Sequence, residues 1–330
     1  MILTLVERNL DGSAVEVSLE ALTFARTLSA EGGGIPVDAV VVAGGGEGVS
    51  DELRKELAAY GVRTIHQVGG EPLAAYSGAG WASAILTVRE LSKSVVVLAA
   101  GTDRGNELMA HVAARAGVAM AANVLSFHGL SPFTVTRQVV GGAALEEMVL
   151  DQRPAVFTVA GHAVEARPAE TPGAADVVEH TPEIDAADLV ARVVSTDVAE
   201  TDDSGGLKTA RVVVGAGRGA GGPDGFKDIE ELTSLLHAAL GVSRVVTAAG
   251  WRPHHEQVGQ TGSRISPDLY IPCGISGAIQ HWAGCSSAKT ILAINTDPEA
   301  PMVTRATYAV IGDLHEVVPA INEEIRRRRA

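Results

Sequence analysis

Cysteine is scarce in this chain: 330 residues include two, Cys273 and Cys285. They are not spaced as Cys-x-x-Cys and have no cluster of ligating side chains around them. A disulfide framework and a thiolate metal site are therefore not expected, and the reading is two buried, reduced thiols in a cytoplasmic protein. Aromatics make up 4% of the residues, so the cores must rest on Val, Leu, Ile and Ala, which the 46% hydrophobic content supplies. Bases are few, 26 Lys and Arg against 40 Asp and Glu, giving a net charge of -14. Such a surface repels nucleic acid and anionic membranes, although one local basic pocket remains possible. No apolar run approaches the ~18 residues needed to span a bilayer, so no membrane insertion is expected. Met1 to Glu7 lacks the basic start and long apolar stretch of an export signal and reads as a strand. Also missing are the Gly-Lys-Ser/Thr ending of a P-loop and a Gly-x-Ser-x-Gly elbow, which argues against phosphate-loop hydrolysis and serine chemistry. His254-His255-Glu256 does not have the spacing of a helical metal site, and no metal is expected.

What is present is an alternation of strand-like and helix-like segments. Ile2–Val6, Val37–Ala43, Ser94–Ala100 and Ala155–Ala160 read as strands; residues 17–30, 51–60, 81–91 and 106–116 have helical spacing. Thr134–Val140 and Glu146–Leu150 alternate like a strand pair about Gly141-Gly142. Residues 161–209, with Pro168, Pro172, Pro182 and many acids, read as a connecting region. The later part predicts strands at 211–214, 244–249, 269–272, 290–294 and 308–311, and helices at 228–240, 277–283 and 314–328. The expected fold class is α/β, with two doubly wound, mainly parallel sheets and a Rossmann-like second domain. The expected domains are 1–204, including the connecting region, and 205–330.

In an open parallel sheet, ligands bind outside the carboxyl ends of the strands. In the second domain the residues just after the strands are glycine-rich or polar: the run from Gly215 to Gly222 with Arg218, the loop from Gly250 to Gly262, Gly274 to Gly277, Asn295 with Asp297, and Gly312-Asp313. A glycine turn lets backbone N–H groups approach phosphate oxygens, and Arg218 adds a charged donor. Ser276-Gly277 is expected to open a helix, giving a second anion-binding element. Gln257, Gln260 and Thr261 could hydrogen-bond a heterocycle, and Gln280 and His281 follow on the short helix.

The residues 257–262 (QVGQTG), 267–284 (PDLYIPCGISGAIQHWAG) and 290–301 (TILAINTDPEAP) resemble the signature of the electron transfer flavoprotein alpha-subunit family. Gly217-Arg218-Gly219 and Gly312-Asp313-Leu314 fit it too, and Gly101 to Gly105 matches more loosely. Thr296 stands where the family often has Lys, and Trp282 and Cys285 stand where Leu and Met are frequent. The resemblance implies FAD in the second domain and an N-terminal domain that packs against an electron transfer flavoprotein beta subunit. It assigns Arg218, Ser243, Ser276 and Asn295 to the phosphates and nearby sugar; Gln257, Gly274, Gly277 and Gln280 are further expected cofactor-binding residues. Arg244, Gln260, Thr261 and His281 would face the isoalloxazine ring, of which Arg244, Thr261 and His281 would tune the flavin, and Asp313 would meet the adenosine. The implied role is an electron carrier rather than a stand-alone enzyme. It would pass electrons one at a time from flavin dehydrogenases, such as those of acyl-CoA oxidation, to a quinone-linked oxidoreductase. Two other readings remain: a subunit of an NADH-linked electron-bifurcating oxidoreductase, and a nucleotide-binding module without redox chemistry.

Overall fold

The computed structural model describes residues 1–44, 48–140, 144–161, 163–195, 206–207 and 209–329. The backbone divides into two compact units, Met1–Val139 with Leu145–Asp197, and Val140–Ala144 with Val198–Ala330. The expected boundary at 204/205 and the Gly141-Gly142 turn lie outside the described residues.

The first unit contains β1 (Ile2–Leu5), α1 (Glu16–Glu31), β2 (Val37–Gly44), α2 (Asp51–Ala59), β3 (Thr64–Gly69), α3 (Gly78–Ser92), β4 (Val96–Ala100), α4 (Asp103–Ala116), β5 (Met120–His128), β6 (Thr134–Val139), β7 (Ala144–Val149), β8 (Ala155–Val159) and β9 (Asp176–His180). They form a nine-stranded sheet in the order β7-β6-β5-β8-β4-β1-β2-β3-β9. β1 runs parallel to β2 and β4, and β8 parallel to β4 and β5, whereas β5 and β6 are antiparallel. Both faces are covered. Ile2 and Leu22 belong to one core layer, and Leu3, Ile85 and Val112 to the other, which is why these strands read as continuous apolar runs. The scarce aromatics are concentrated: Phe24, Phe127, Phe133 and Phe157 meet edge-on or tilted at 5.5–6.1 Å in the first layer.

Small hydroxyl residues cap three helices: Ser50, Ser77 and Thr102 accept from the backbone N–H groups of Leu53, Gly80 and Gly105. α2 begins at Asp51 as its spacing indicated, whereas α3 and α4 begin earlier than theirs, at Gly78 and Asp103. Strands β3 and β5 were not anticipated. Nor was β9, which falls inside the segment read as a connecting region. β9 pairs in parallel with β3 and is exposed at Asp176, Val177, Val178 and Glu179, so no buried face marks it in the sequence. Beneath it runs a polar row. His180 Nε2 lies 3.0 Å from His66 Nδ1, His66 Nε2 lies 3.6 Å from Asp38 Oδ2, and Arg63 grips both Asp38 oxygens at 3.0 and 2.6 Å.

The second unit contains β10 (Val212–Ala216), α5 (Lys227–Leu235), β11 (Ala239–Val242), α6 (Arg244–Ala248), β12 (Leu269–Cys273), α7 (Ile279–Cys285), β13 (Thr290–Asn295), α8 (Pro301–Thr304), β14 (Tyr308–Ile311) and α9 (Leu314–Arg329). The sheet order is β11-β10-β12-β13-β14, and every pairing is parallel. The chain steps outward from β10 to β11 on one side, then crosses to β12 and continues on the other. The strand order therefore reverses between β10 and β12, and a crevice opens there at the carboxyl ends.

Three expectations for this unit need correction. The helix predicted over 228–240 stops at Leu235 because His237 turns left-handed, φ 49°. Its N–H donates to Ser234 O while that of Ala238 donates to Thr233 O, a helix stop normally built on glycine. The chain then has room for β11, so the strand predicted over 244–249 is the helix α6. The helix expected at Gly277 begins at Ile279: Gly277 has φ +78°, and a Cβ there would stand 2.4 Å from Met302 N. Because His237 is exposed and holds a conformation that favours glycine, His237→Gly should raise stability by about 1 kcal/mol, read as a higher urea midpoint with unchanged slope.

Candidate functional site

The carboxyl ends of all five strands of the second unit border one cavity of about 1060 Å³. This lies at the upper end of the ~300–1,000 Å³ typical of small-molecule clefts. Arg218 and Gly219 reach it from the turn after β10, and Ser243 and Arg244 from the end of β11 and the start of α6. Gly274 and Ser276 follow β12, Asn295 is the last residue of β13, and Asp313 follows β14; Gln280 and His281 come from α7. The misread strand explains why Ser243 and Arg244 sit here: they directly follow β11, which ends at Val242.

Of the expected site residues, Gly277, Gln257, Gln260 and Thr261 lie outside this lining. Gln257 is 2% exposed and satisfied within the protein, accepting from Thr247 Oγ1 at 2.6 Å and donating to Thr261 Oγ1 at 3.0 Å. It ties α6 to the 257–262 loop. The Gln260 N–H donates to Gln280 O, which holds the same loop against α7. Asp297, collected at the rim with Asn295, lines the cavity, and so do Thr296, Leu314 and His315, which were not assigned to the site. Thr296 and Asp297 continue the polar run after β13, so their position past a strand end was the available signal.

The floor of the crevice is backbone on backbone. The Gly217 N–H donates to Cys273 O and that of Gly219 to Gly274 O. A Cβ on Gly217 would stand 2.2 Å from Gly274 O, and one on Gly274 would stand 2.7 Å from Gly219 Cα. Gly274 also needs φ +61°. These glycines let two loops close where the strand order reverses, leaving main-chain groups at the cavity mouth.

The charge balance points to an anionic ligand. The chain is acidic, yet among the described residues neither Arg218 nor Arg244 is paired with a carboxylate. By contrast Arg252 is held by Glu230 and Glu256, and Arg211 by Asp268. His281 is 7% exposed, and burial pushes it down to about 4, offset in part by the backbone of Val258. Its ring is therefore neutral at physiological pH. Nε2 meets the Tyr270 hydroxyl at 2.8 Å, while Nδ1 is buried without a hydrogen-bond partner. Asn295 Nδ2 donates to Ile275 O at 3.0 Å, fixing the loop that carries Ser276. Cys273 and Cys285 are free and buried, both pushed up to about 12 by burial. His254, His255 and Glu256 form no metal group, and among the described residues no such group is found.

The family model for the electron transfer flavoprotein domain matches residues 2–185, and that for the electron transfer flavoprotein FAD-binding domain matches residues 206–286. The electron transfer flavoprotein subunit alpha of Thermoanaerobacterium thermosaccharolyticum is 35% identical over 96% of this chain and 95% of its own. This chain belongs to the electron transfer flavoprotein alpha-subunit family. The alpha subunits of Mycobacterium leprae and Bacillus subtilis are 36% and 34% identical, over 99% and 96% of this chain and 98% and 95% of theirs. The cavity lining from Arg218 to His281 lies within the FAD-binding domain match of this electron transfer flavoprotein subunit, and the lining from Ile294 to His315 lies beyond it. Two independent unpaired guanidinium groups, an orphaned buried imidazole nitrogen and a glycine floor fit a phosphate-bearing flavin nucleotide. No described helix is long and apolar enough to cross a membrane.

Proposed function

We propose that this subunit holds FAD in the second-unit cavity and carries electrons, one at a time, as half of a heterodimer with a beta subunit. The observation that carries this reading is the convergence of all five strand ends on one cavity with two unpaired arginines. When bound, the flavin supplies the redox chemistry. Arg218, Ser276, Asn295 and the main chain around Gly219 and Gly274 would hold the diphosphate and nearby sugar. Ser243 would add a hydroxyl, and Asp313 would accept from the adenosine end. Arg244 and His281 would face the ring, with Gln280 beside them.

The two ring-facing residues would act differently. Arg244 carries a full charge and would stabilise negative charge arriving on the ring, more strongly in a partly dry cleft than in water. His281 is neutral, so its contribution is a hydrogen bond from a fixed imidazole rather than a second full charge. Thr261 and Gln260 would act from the loop that Gln257 braces. Donors in this proposal are flavin dehydrogenases, including acyl-CoA dehydrogenases, and the acceptor is a quinone-linked oxidoreductase, with the complex working in the cytoplasm.

The test is the absorption spectrum of the co-purified alpha–beta complex, with the released ligand identified by chromatography. Flavin bands with FAD as the released species are expected. A complex that stays colourless after incubation with excess FAD overturns the proposal. Bleaching of the bands by NADH alone, without a dehydrogenase, would instead place the complex among NADH-linked oxidoreductases.

A further inference from the structure

Tyr270 has no exposed surface and no place in the ligand contacts described above. It stands on β12, and its ring lies against Gly215 of β10: a Cβ at that position would be 2.5 Å from Tyr270 Oη and 2.8 Å from two ring carbons. β10 therefore carries a glycine where the tyrosine needs a slot. A buried phenol needs a hydrogen-bond partner, and this one has His281 Nε2 at 2.8 Å, with the two rings 23° apart in plane. Burial pushes the phenol well above its ordinary range, so its oxygen keeps the proton. The titratable groups nearby are Cys273 on β12 and Cys285 on α7, both neutral thiols for the same reason, and Arg244 on the cavity lining.

A hydroxyl that donates to Nε2 requires the lone pair there, which places the ring proton of neutral His281 on Nδ1. The backbone of Val258 favours a proton on the ring, and with Nε2 taken by the phenol that proton falls on Nδ1. We infer that Tyr270 is a positioning residue: its hydroxyl donates to His281 Nε2 and so fixes the Nδ1–H tautomer and the ring plane. The inference rests on the flavin reading for what the held ring serves, but not for the tautomer itself. If His281 takes up a proton as negative charge arrives in the cavity, the same hydroxyl can turn and accept from Nε2–H. The ring would then be held in both protonation states without moving.

The experiment uses the alpha–beta complex, histidine-labelled with ¹⁵N and freed of flavin, and reads long-range ¹H–¹⁵N spectra at neutral pH. His281 is expected to show a proton-bearing Nδ1 and a bare Nε2, a single tautomer. In Tyr270→Phe, which keeps the ring that fills the slot, the two nitrogen signals should move toward each other as both tautomers become populated. The reconstituted variant should then have a lower flavin reduction potential. A parent spectrum with the proton on Nε2, or a variant spectrum superimposable on the parent's, overturns the inference. The parent spectrum decides even if the variant fails to fold. A complex that takes up no flavin sinks the functional proposal, while the nitrogen spectra still decide the role of Tyr270.

Discussion

Gly274→Ala should cost the second unit about 3 kcal/mol of stability, the sum of a left-handed penalty of ~1–2 kcal/mol and an overpacking cost of ~1–3 kcal/mol. It should also abolish flavin retention through gel filtration. The position is constrained twice. The backbone has φ +61°, and an added methyl would stand 2.7 Å from Gly219 Cα and 2.8 Å from Leu314 Cδ2. The first obstacle is main chain, which cannot rotate away. Relief requires the turn after β10 to separate from the turn after β12, breaking the Gly219 N–H bond to Gly274 O. That bond spans the crevice that would hold the diphosphate. Gly221→Ala is the matched control, because Gly221 has φ +77° with nothing within 4 Å of its Cβ position. It should lose only the ~1–2 kcal/mol backbone penalty and keep its flavin. Equal losses in the two variants, or a Gly274→Ala complex that stays yellow, would show that the backbone crossing does not build the site.

Arg63→Met should destabilise the first unit by about 3 kcal/mol at neutral pH, and by more than Asp38→Asn does. The asymmetry follows from burial. The Asp38 side chain is 0% exposed, whereas that of Arg63 is 46% exposed. Removing the arginine leaves a carboxylate in the core with His66 Nε2 at 3.6 Å as its nearest charge partner, while removing the carboxylate leaves a guanidinium that water reaches. In the parent, burial pushes Asp38 up, and the hydrogen bonds and charges of His66 and Arg63 outweigh it, so the group sits below its ordinary 3.8. The parent therefore holds this contribution above the unfolded value of 3.8 and loses it as pH falls through the lower folded value. Without Arg63 its two lowering contributions go while those of His66 stay, so the folded value rises from the parent's and the variant falls further below the parent as pH rises through the carboxylate range. Urea unfolding at pH 5 and 8 checks this. The gap between variant and parent should widen with pH, and a gap that narrows would refute the assignment of Arg63 as the group that holds Asp38 ionised.

Much of the site was legible because strand ends in parallel sheets are marked in sequence. Val, Ile and Leu runs buried on both faces stop at glycine or polar residues, so Arg218, Ser276, Asn295 and Asp313 could be collected at one rim before any coordinates. Where strands were misplaced, the cause was local. His237 gives no glycine signal at the stop of α5, which hid β11, and Val245-Val246 then drew the strand one element too late. β9 was hidden because an exposed edge strand needs only hydrogen bonds from β3, and hydrogen bonds leave no hydrophobic period. Tyr270 could have been flagged, since a tyrosine inside a buried strand must find a partner for its hydroxyl.

The sequence alone determined the α/β class, the family and the rim at which the second unit presents its chemistry, because those follow from local periodicity and from residue types at strand ends. Only the tertiary structure decided which side chains share a cavity. It also decided that Gln257 is spent bracing a loop, that His281 is neutral and held by Tyr270, and that Asp38 is ionised in a core. Those properties depend on burial and on partners distant in the chain, such as Gly215 with Tyr270 or Asp38 with Arg63, and a linear pattern does not carry distances across a sheet.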